Sequence, residues 1–159
     1  MTICLNCGAD TDAPRSNLDH NRLMRIIRAA SHHWPERCRF KPIGMNQTLK
    51  FEHLRAWLFC QVGYCWIEEL DAVGTDGVSK DSAVATTRSY FETVEARQGY
   101  KFWWPTTDGI TRCRTPRSAS FENLNQRDFG DLRDAVSALI ERELGISIPQ
   151  LLKEHEAAA

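Results

Sequence analysis

The sequence predicts an α+β fold, a small antiparallel sheet packed against about three main helices, and three observations point to it. Apolar residues recur at helical spacing in separate stretches around 17–34, 49–62 and 125–144. Between the second and third stretch the pattern changes to short runs rich in aromatic and β-branched residues, punctuated by Gly and Asp. The length of 159 residues suits one sizeable core, whereas two independent domains would each be marginal. With strands gathered between helical segments, the simplest arrangement covers one face of the sheet with the helices.

Residues 1–16 form a short head containing Cys4-Leu5-Asn6-Cys7-Gly8, and 17–63 form a helical half. Asn17 or Asp19 starts the first helix, which runs to about Trp34, just before Pro35. At about 100° per residue, Leu23, Ile26, Ile27, Ala30 and Trp34 share one face, and Arg22, Arg25, Arg28 and His32 share the opposite face. A loop carrying Arg37, Arg39 and Lys41 follows. The second helix spans Leu49–Val62, turns Phe51, Leu54, Leu58 and Val62 inward, and stops at Gly63.

Residues 64–121 form a strand-rich half with an acidic loop. Tyr64–Val73 reads as a strand and Gly74–Asp81 as an exposed turn. Val84–Tyr100 is ambiguous: Ala83–Thr87 and Tyr90–Val94 fit strands, while Tyr90–Gln98 also fits a short helix. Lys101–Arg114 reads as a hairpin turning at Asp108-Gly109. Residues 122–155 carry the C-terminal helices. Asn125 caps the first of them, with Asp128 three residues on. It presents Phe129, Leu132, Val136, Leu139 and Ile140 inward and ends at Gly145. Ile148–His155 fits a last short helix.

Hydrophobic residues make up 42% and charged residues 26%, an ordinary globular balance that argues against wholesale disorder. The formal net charge of −1 excludes a uniformly basic nucleic-acid binder, yet the charge is segregated. Residues 1–66 carry +4 and residues 100–121 carry +3, while 67–99 and 122–159 carry −4 each. No basic lead and apolar run opens the chain as a secretion signal would, and no run approaches the ~18 apolar residues of a membrane span. The expectation is therefore a cytoplasmic protein whose six cysteines are reduced thiols or metal ligands.

The basic segments supply the candidate site. If Asp108 and Gly109 are the central turn residues, Trp103 pairs with Arg114 and Pro105 with Arg112. Lys101, Trp103, Arg112 and Arg114 then share an outer face, with Phe102, Trp104 and Cys113 turned towards the core. An indole beside guanidinium groups suits single-stranded nucleic acid, since bases stack on the ring while cations meet phosphates. A register shift of one residue exchanges Trp103 for Trp104. Arg22, Arg25 and Arg28, with Arg37, Arg39 and Lys41, form a second candidate phosphate surface, though a solvated helix face has the same pattern.

Cys4 and Cys7 have the spacing of half a structural zinc site, and Cys60 and Cys65 are the nearest second pair, with Cys38, His32 and His53 as other donors. The tandem His32-His33 can also coordinate a metal, but such a pair at a helix end is more often simply exposed. The preferred reading is free thiols, some packed as small hydrophobes. Enzymatic signatures are mostly absent: no phosphate-binding loop, His-Glu-x-x-His, Gly-x-Ser-x-Gly or dinucleotide fingerprint occurs. Glu68, Glu69, Asp71, Glu92, Glu95 and Arg97 are the raw material of a divalent-metal nuclease, but their spacing does not demand one.

Two segments carry a resemblance. Pro14-Arg15-Ser16-Asn17-Leu18-Asp19-His20-Asn21-Arg22-Leu23 resembles the "Arg-Ser/Asn-Leu-x-x-His/Asn-Arg" entry of an uncharacterised family encoded in the recombination (nin) region of lambda-like phages and prophages. It is also similar to the "Ser-Leu-Asp-Gln-Asn-Arg" stretch of the NinB (Orf) recombination mediators. Thr115-Pro116-Arg117-Ser118-Ala119-Ser120-Phe121-Glu122-Asn123-Leu124-Asn125 resembles the "Pro-Lys-Ser-Ile-Ser-Phe-x-x-Met-Asp" segment before the last helix of the uncharacterised family. Phe51–Gly63 is similar to that family's second helix. The Cys-x-x-Cys head and the acidic stretch Glu68–Glu95 depart from the pattern. NinB-type proteins are dimers that bind single-stranded DNA and cooperate with the host single-strand-binding protein. The resemblance implies such a role here, with Arg15, Asn21 and Arg22 matching the entry and Arg117 and Ser118 the second segment.

The expected function is thus a non-catalytic, phage-encoded accessory protein that binds single-stranded DNA as a possible homodimer. Two alternatives stand beside it. One is a protein–protein module that inhibits or recruits a host complex, as a CRISPR inhibitor does, through its acidic blocks. The other is a metal-dependent nuclease.

Overall fold

The computed structural model of the chain describes residues 17–42, 44–71, 102–104, 110–119 and 124–158. Helix α1 (Asn17–His33) and helix α2 (Gln47–Gln61) precede strand β1 (Cys65–Asp71). Strands β2 (Phe102–Trp104) and β3 (Ile110–Pro116) follow, then helices α3 (Gln126–Leu144) and α4 (Ile148–Ala157). The three strands form an antiparallel sheet in the order β1-β3-β2, and β3 packs on α2. This is the predicted α+β class, with the short fourth helix formed. Residues 72–101, including the ambiguous Ala83–Gln98 stretch, lie outside the described residues. Among the described residues no helix is long and apolar enough to cross a membrane.

Each helix boundary has a local chemical cause. Asn46 accepts a hydrogen bond from Leu49 N at 2.9 Å, so α2 begins earlier than its apolar pattern suggests. Asn125 accepts from Asp128 N at 2.8 Å and starts α3, whose end is set by Gly145 at φ 76°. Ser147 caps α4 through Gln150 N. Glu141 Oε1 accepts from Ile148 N at 2.8 Å, so α3 also steadies the entry into α4.

The core forms where the apolar faces of the four helices meet. Leu23, Ile27, Leu54, Leu58, Phe129, Val136, Ile140 and Leu151 are fully buried. Every inward residue expected on α3 is buried, as are Leu23, Ile26, Ile27 and Ala30 of α1. Full burial of one such side chain contributes roughly 1.5–3 kcal/mol of transfer free energy, and so burial, not local propensity, fixes the helices in place. An aromatic cluster ties the sheet to this layer. Phe40 stacks on Trp57 at 4.5 Å, Trp34 Nε1 donates to Phe40 O at 2.8 Å, and Phe102 of β2 stacks on His53 at 5.5 Å.

The sheet register differs from the expected one. Phe102 pairs with Arg114, Trp103 with Cys113 and Trp104 with Arg112. The expected pairing of Trp103 with Arg114 is therefore displaced by one residue, and Trp103 is registered with the fully buried Cys113. Asp108 and Gly109, the expected turn residues, lie outside the described set. Because side chains alternate along a strand, a slip of one exchanges the two faces.

Candidate nucleic-acid interface

The exposed aromatic group of the sheet stands on β1, and the entry to that strand explains its position. Gly63, at φ 84°, turns the chain out of α2, and Tyr64 N donates back to Phe59 O at 2.8 Å. Arg117 N then donates to Tyr64 O at 3.2 Å, and Tyr64 Oη donates to Ser118 O at 2.9 Å. The residues just past β3 are thereby pinned beside the start of β1. This brings the Arg117 guanidinium over two rings, 4.6 Å from the Trp66 centroid and 5.2 Å from that of Tyr64. Trp66 is 61% exposed and its neighbour Ile67 54% exposed. The result, at Trp66, is an open indole with a cation on one face.

Six of the other cations expected at a nucleic-acid surface, Arg25, Arg28, Arg37, Lys41, Arg112 and Arg114, have partners within the chain. Arg112 pairs with Glu69 of β1 at 2.8 Å, and the half-buried Arg114 donates from Nη1 to Cys60 O at 3.0 Å. Arg37 donates to Leu144 O at 2.9 Å and weakly to Glu143 O, capping α3. Lys41 pairs with Glu36, and that ammonium holds the Glu36 carboxyl below its ordinary value. Arg25 pairs with Glu156 of α4, and Arg28 lies over Phe51 at 5.4 Å. Arg22 and Arg39 are exposed and make no ion pair among the described residues. Arg15 and Lys101 lie outside the described residues, as does the side chain of Trp103.

Arg28 and Arg114, one from each basic stretch, both lie against α2. Arg28 meets α2 at Phe51 and Arg114 meets it at Cys60. At ~1.5 Å of rise per residue, those anchor points stand about 13 Å apart along one helix. Among the described residues, Arg117 is a cation that accompanies an open ring.

Cys4 and Cys7 also lie outside the described residues. Cys60 and Cys65 are brought together, with Cys65 Sγ 4.0 Å from Cys60 O. Cys60 is fully buried, and burial pushes its thiol well up, which opposes the thiolate that zinc requires. Cys38 is buried against Glu143 O, and burial raises its thiol as well. His53 is half-enclosed by Phe40 and Phe102, and that burial lowers its imidazole. Of the nuclease candidates, Glu69 is held by Arg112, while Glu92, Glu95 and Arg97 lie outside the described residues.

The exposure of Trp66 was not legible, because acids stand on both faces of the strand, Glu68 on its own face and Glu69 and Asp71 on the other. The pairing of Trp66 with Arg117, fifty-one positions away, was not legible either. Comparison with protein-family models, curated proteins and solved structures finds no match to the chain.

Proposed function

We propose that the protein binds single-stranded DNA without catalysing a reaction, and that Trp66, Tyr64 and Arg117 form its contact. The observation that carries this reading is the 61% exposed indole beneath a guanidinium. A base stacks on an open ring whatever its identity, while the adjoining cation attracts the phosphodiester. Such a platform favours unstacked bases over duplex, where the ring has no base face to meet. The resemblance to phage recombination-region proteins supports the same conclusion. Its second segment contributes Arg117 and Ser118, and both are fastened to Tyr64. The natural setting is then an accessory role in phage recombination within the bacterial cytoplasm, with a homodimer as the working form.

The test is fluorescence anisotropy with a labelled oligo-thymidine and the Trp66→Ala and Arg117→Ala chains. Loss of one stacked base costs roughly 1–3 kcal/mol, so Trp66→Ala weakens binding about 5- to 150-fold. Arg117→Ala weakens it and flattens the salt dependence by close to one charge. Failure of the wild-type chain to retain the oligonucleotide at low salt would refute the reading and favour a protein partner for the Trp66–Ile67 surface. Cleavage of the oligonucleotide on addition of Mg²⁺ would replace it with a nuclease.

A further inference from the structure

Two helix C-termini meet at a cleft that the Trp66 surface does not involve. His32 and His33 are the last residues of α1, and His155 lies in the last turn of α4. The His32 and His155 ring centroids are 5.0 Å apart, and those of His33 and His155 are 5.9 Å apart. With Ala158 these three side chains line a cleft of about 300 Å³. Consecutive helix positions point about 100° apart, so His32 and His33 approach His155 from two sides. His33 Nε2 is enclosed and has no hydrogen-bond partner among the described residues.

Helix C-termini present unpaired carbonyls and a partial negative charge. Of the nearby arginines, Arg25 is balanced by Glu156, and Arg28 is laid over Phe51. Burial, reinforced by the positive fields of His32, His33, Arg25 and Arg28, lowers His155 below its ordinary value.

We propose that His32, His33 and His155 form a binding site for a divalent transition metal of the zinc class, with water completing its coordination. Imidazoles on one tetrahedral zinc bind through nitrogens at ~2.0–2.1 Å, which places neighbouring ring centroids about 5 Å apart. The 5.0 Å separation of His32 and His155 meets that value, and the 5.9 Å of His33 and His155 is longer. Among the described residues no three such donors already surround a common metal position. Closure therefore requires turning the imidazoles about their side-chain torsions, and His32 is exposed and has room to turn. A bound ion would fasten the last turn of α4 to the end of α1. The site is independent of Cys4 and Cys7, and independent of the nucleic-acid reading.

The experiment uses the full chain, stripped with chelator, titrated with Co²⁺ by visible absorption and with Zn²⁺ by calorimetry. One ion per chain is expected, with no thiolate-to-cobalt charge-transfer band and a melting temperature that rises with zinc. His155→Ala weakens binding roughly tenfold or more. His32→Asn, at an exposed position, does the same without loss of fold. Cys4→Ser with Cys7→Ser leaves affinity unchanged. A thiolate band, binding by His32→Asn equal to wild type, or no uptake of zinc at millimolar concentration would each overturn the proposal.

Discussion

Replacing Arg37 with Ala separates a structural cation from a binding cation. Arg37 was expected at the nucleic-acid surface, but its guanidinium closes the C-terminus of α3, with 2.9 Å to Leu144 O and 3.4 Å to Glu143 O. The first is a well-formed charge-assisted hydrogen bond, worth about 1 kcal/mol at an exposed site, and the second is too long to add much. The positive charge at the carbonyl end of the helix adds about 0.5 kcal/mol. Arg37→Ala should therefore cost about 1.5 kcal/mol. For a chain of this size that corresponds to a fall in Tm of roughly 3–6 °C. Arg37→Lys keeps the charge but not the forked donor geometry and should recover about a third of the loss. Circular dichroism during thermal and urea unfolding measures the stability, and oligonucleotide anisotropy on the same samples measures binding. The expected pattern is lowered stability with unchanged affinity, the reverse of Trp66→Ala. An unaltered melting curve would show that the cap does not form in solution. A loss of affinity equal to that of Trp66→Ala would return Arg37 to the binding surface.

Phe129 is fully buried at the centre of the helical layer, so Phe129→Ala should cost about 3–5 kcal/mol in urea unfolding; a loss below about 1 kcal/mol would mean that the site collapses around the gap. Burial between Phe40 and Phe102 lowers His53 from its ordinary value of 6.5, and His155 shifts in the same direction. Below that ordinary value the unfolded chain then binds more protons than the folded one, so the urea midpoint falls as pH drops from 7.5 to 5, and the fall slows once the folded histidines also protonate. His53→Phe should flatten this dependence, and a midpoint that rises on acidification would contradict the assignment. Among the four described cysteines, buried Cys60 and Cys113 should resist alkylation in the folded protein, while the partly exposed Cys65 reacts before them; mass spectrometry of peptides after brief iodoacetamide treatment gives the order.

The amino-acid sequence by itself determined the helices and the faces they bury. Helical periodicity and caps are local, and Asn125, Gly145 and the Phe129–Ile140 stripe mark α3 without reference to anything else in the chain. The α+β class followed from the same local signals. The sheet was legible as strands but not as a register, because the pleat repeats every two residues and a slip of one preserves local propensity while exchanging Trp103 for Trp104. Charge was legible, but its engagement was not. Whether an arginine meets a phosphate, a helix end or a cross-strand carboxylate depends on residues far along the chain, as with Arg37 on Leu144 and Arg112 on Glu69. Tertiary structure alone decided that Trp66 stands open under Arg117 and that His155 reaches the tandem histidines of α1. Both pairings arise from packing elements distant in the chain, and packing selects among partners that local sequence leaves equivalent.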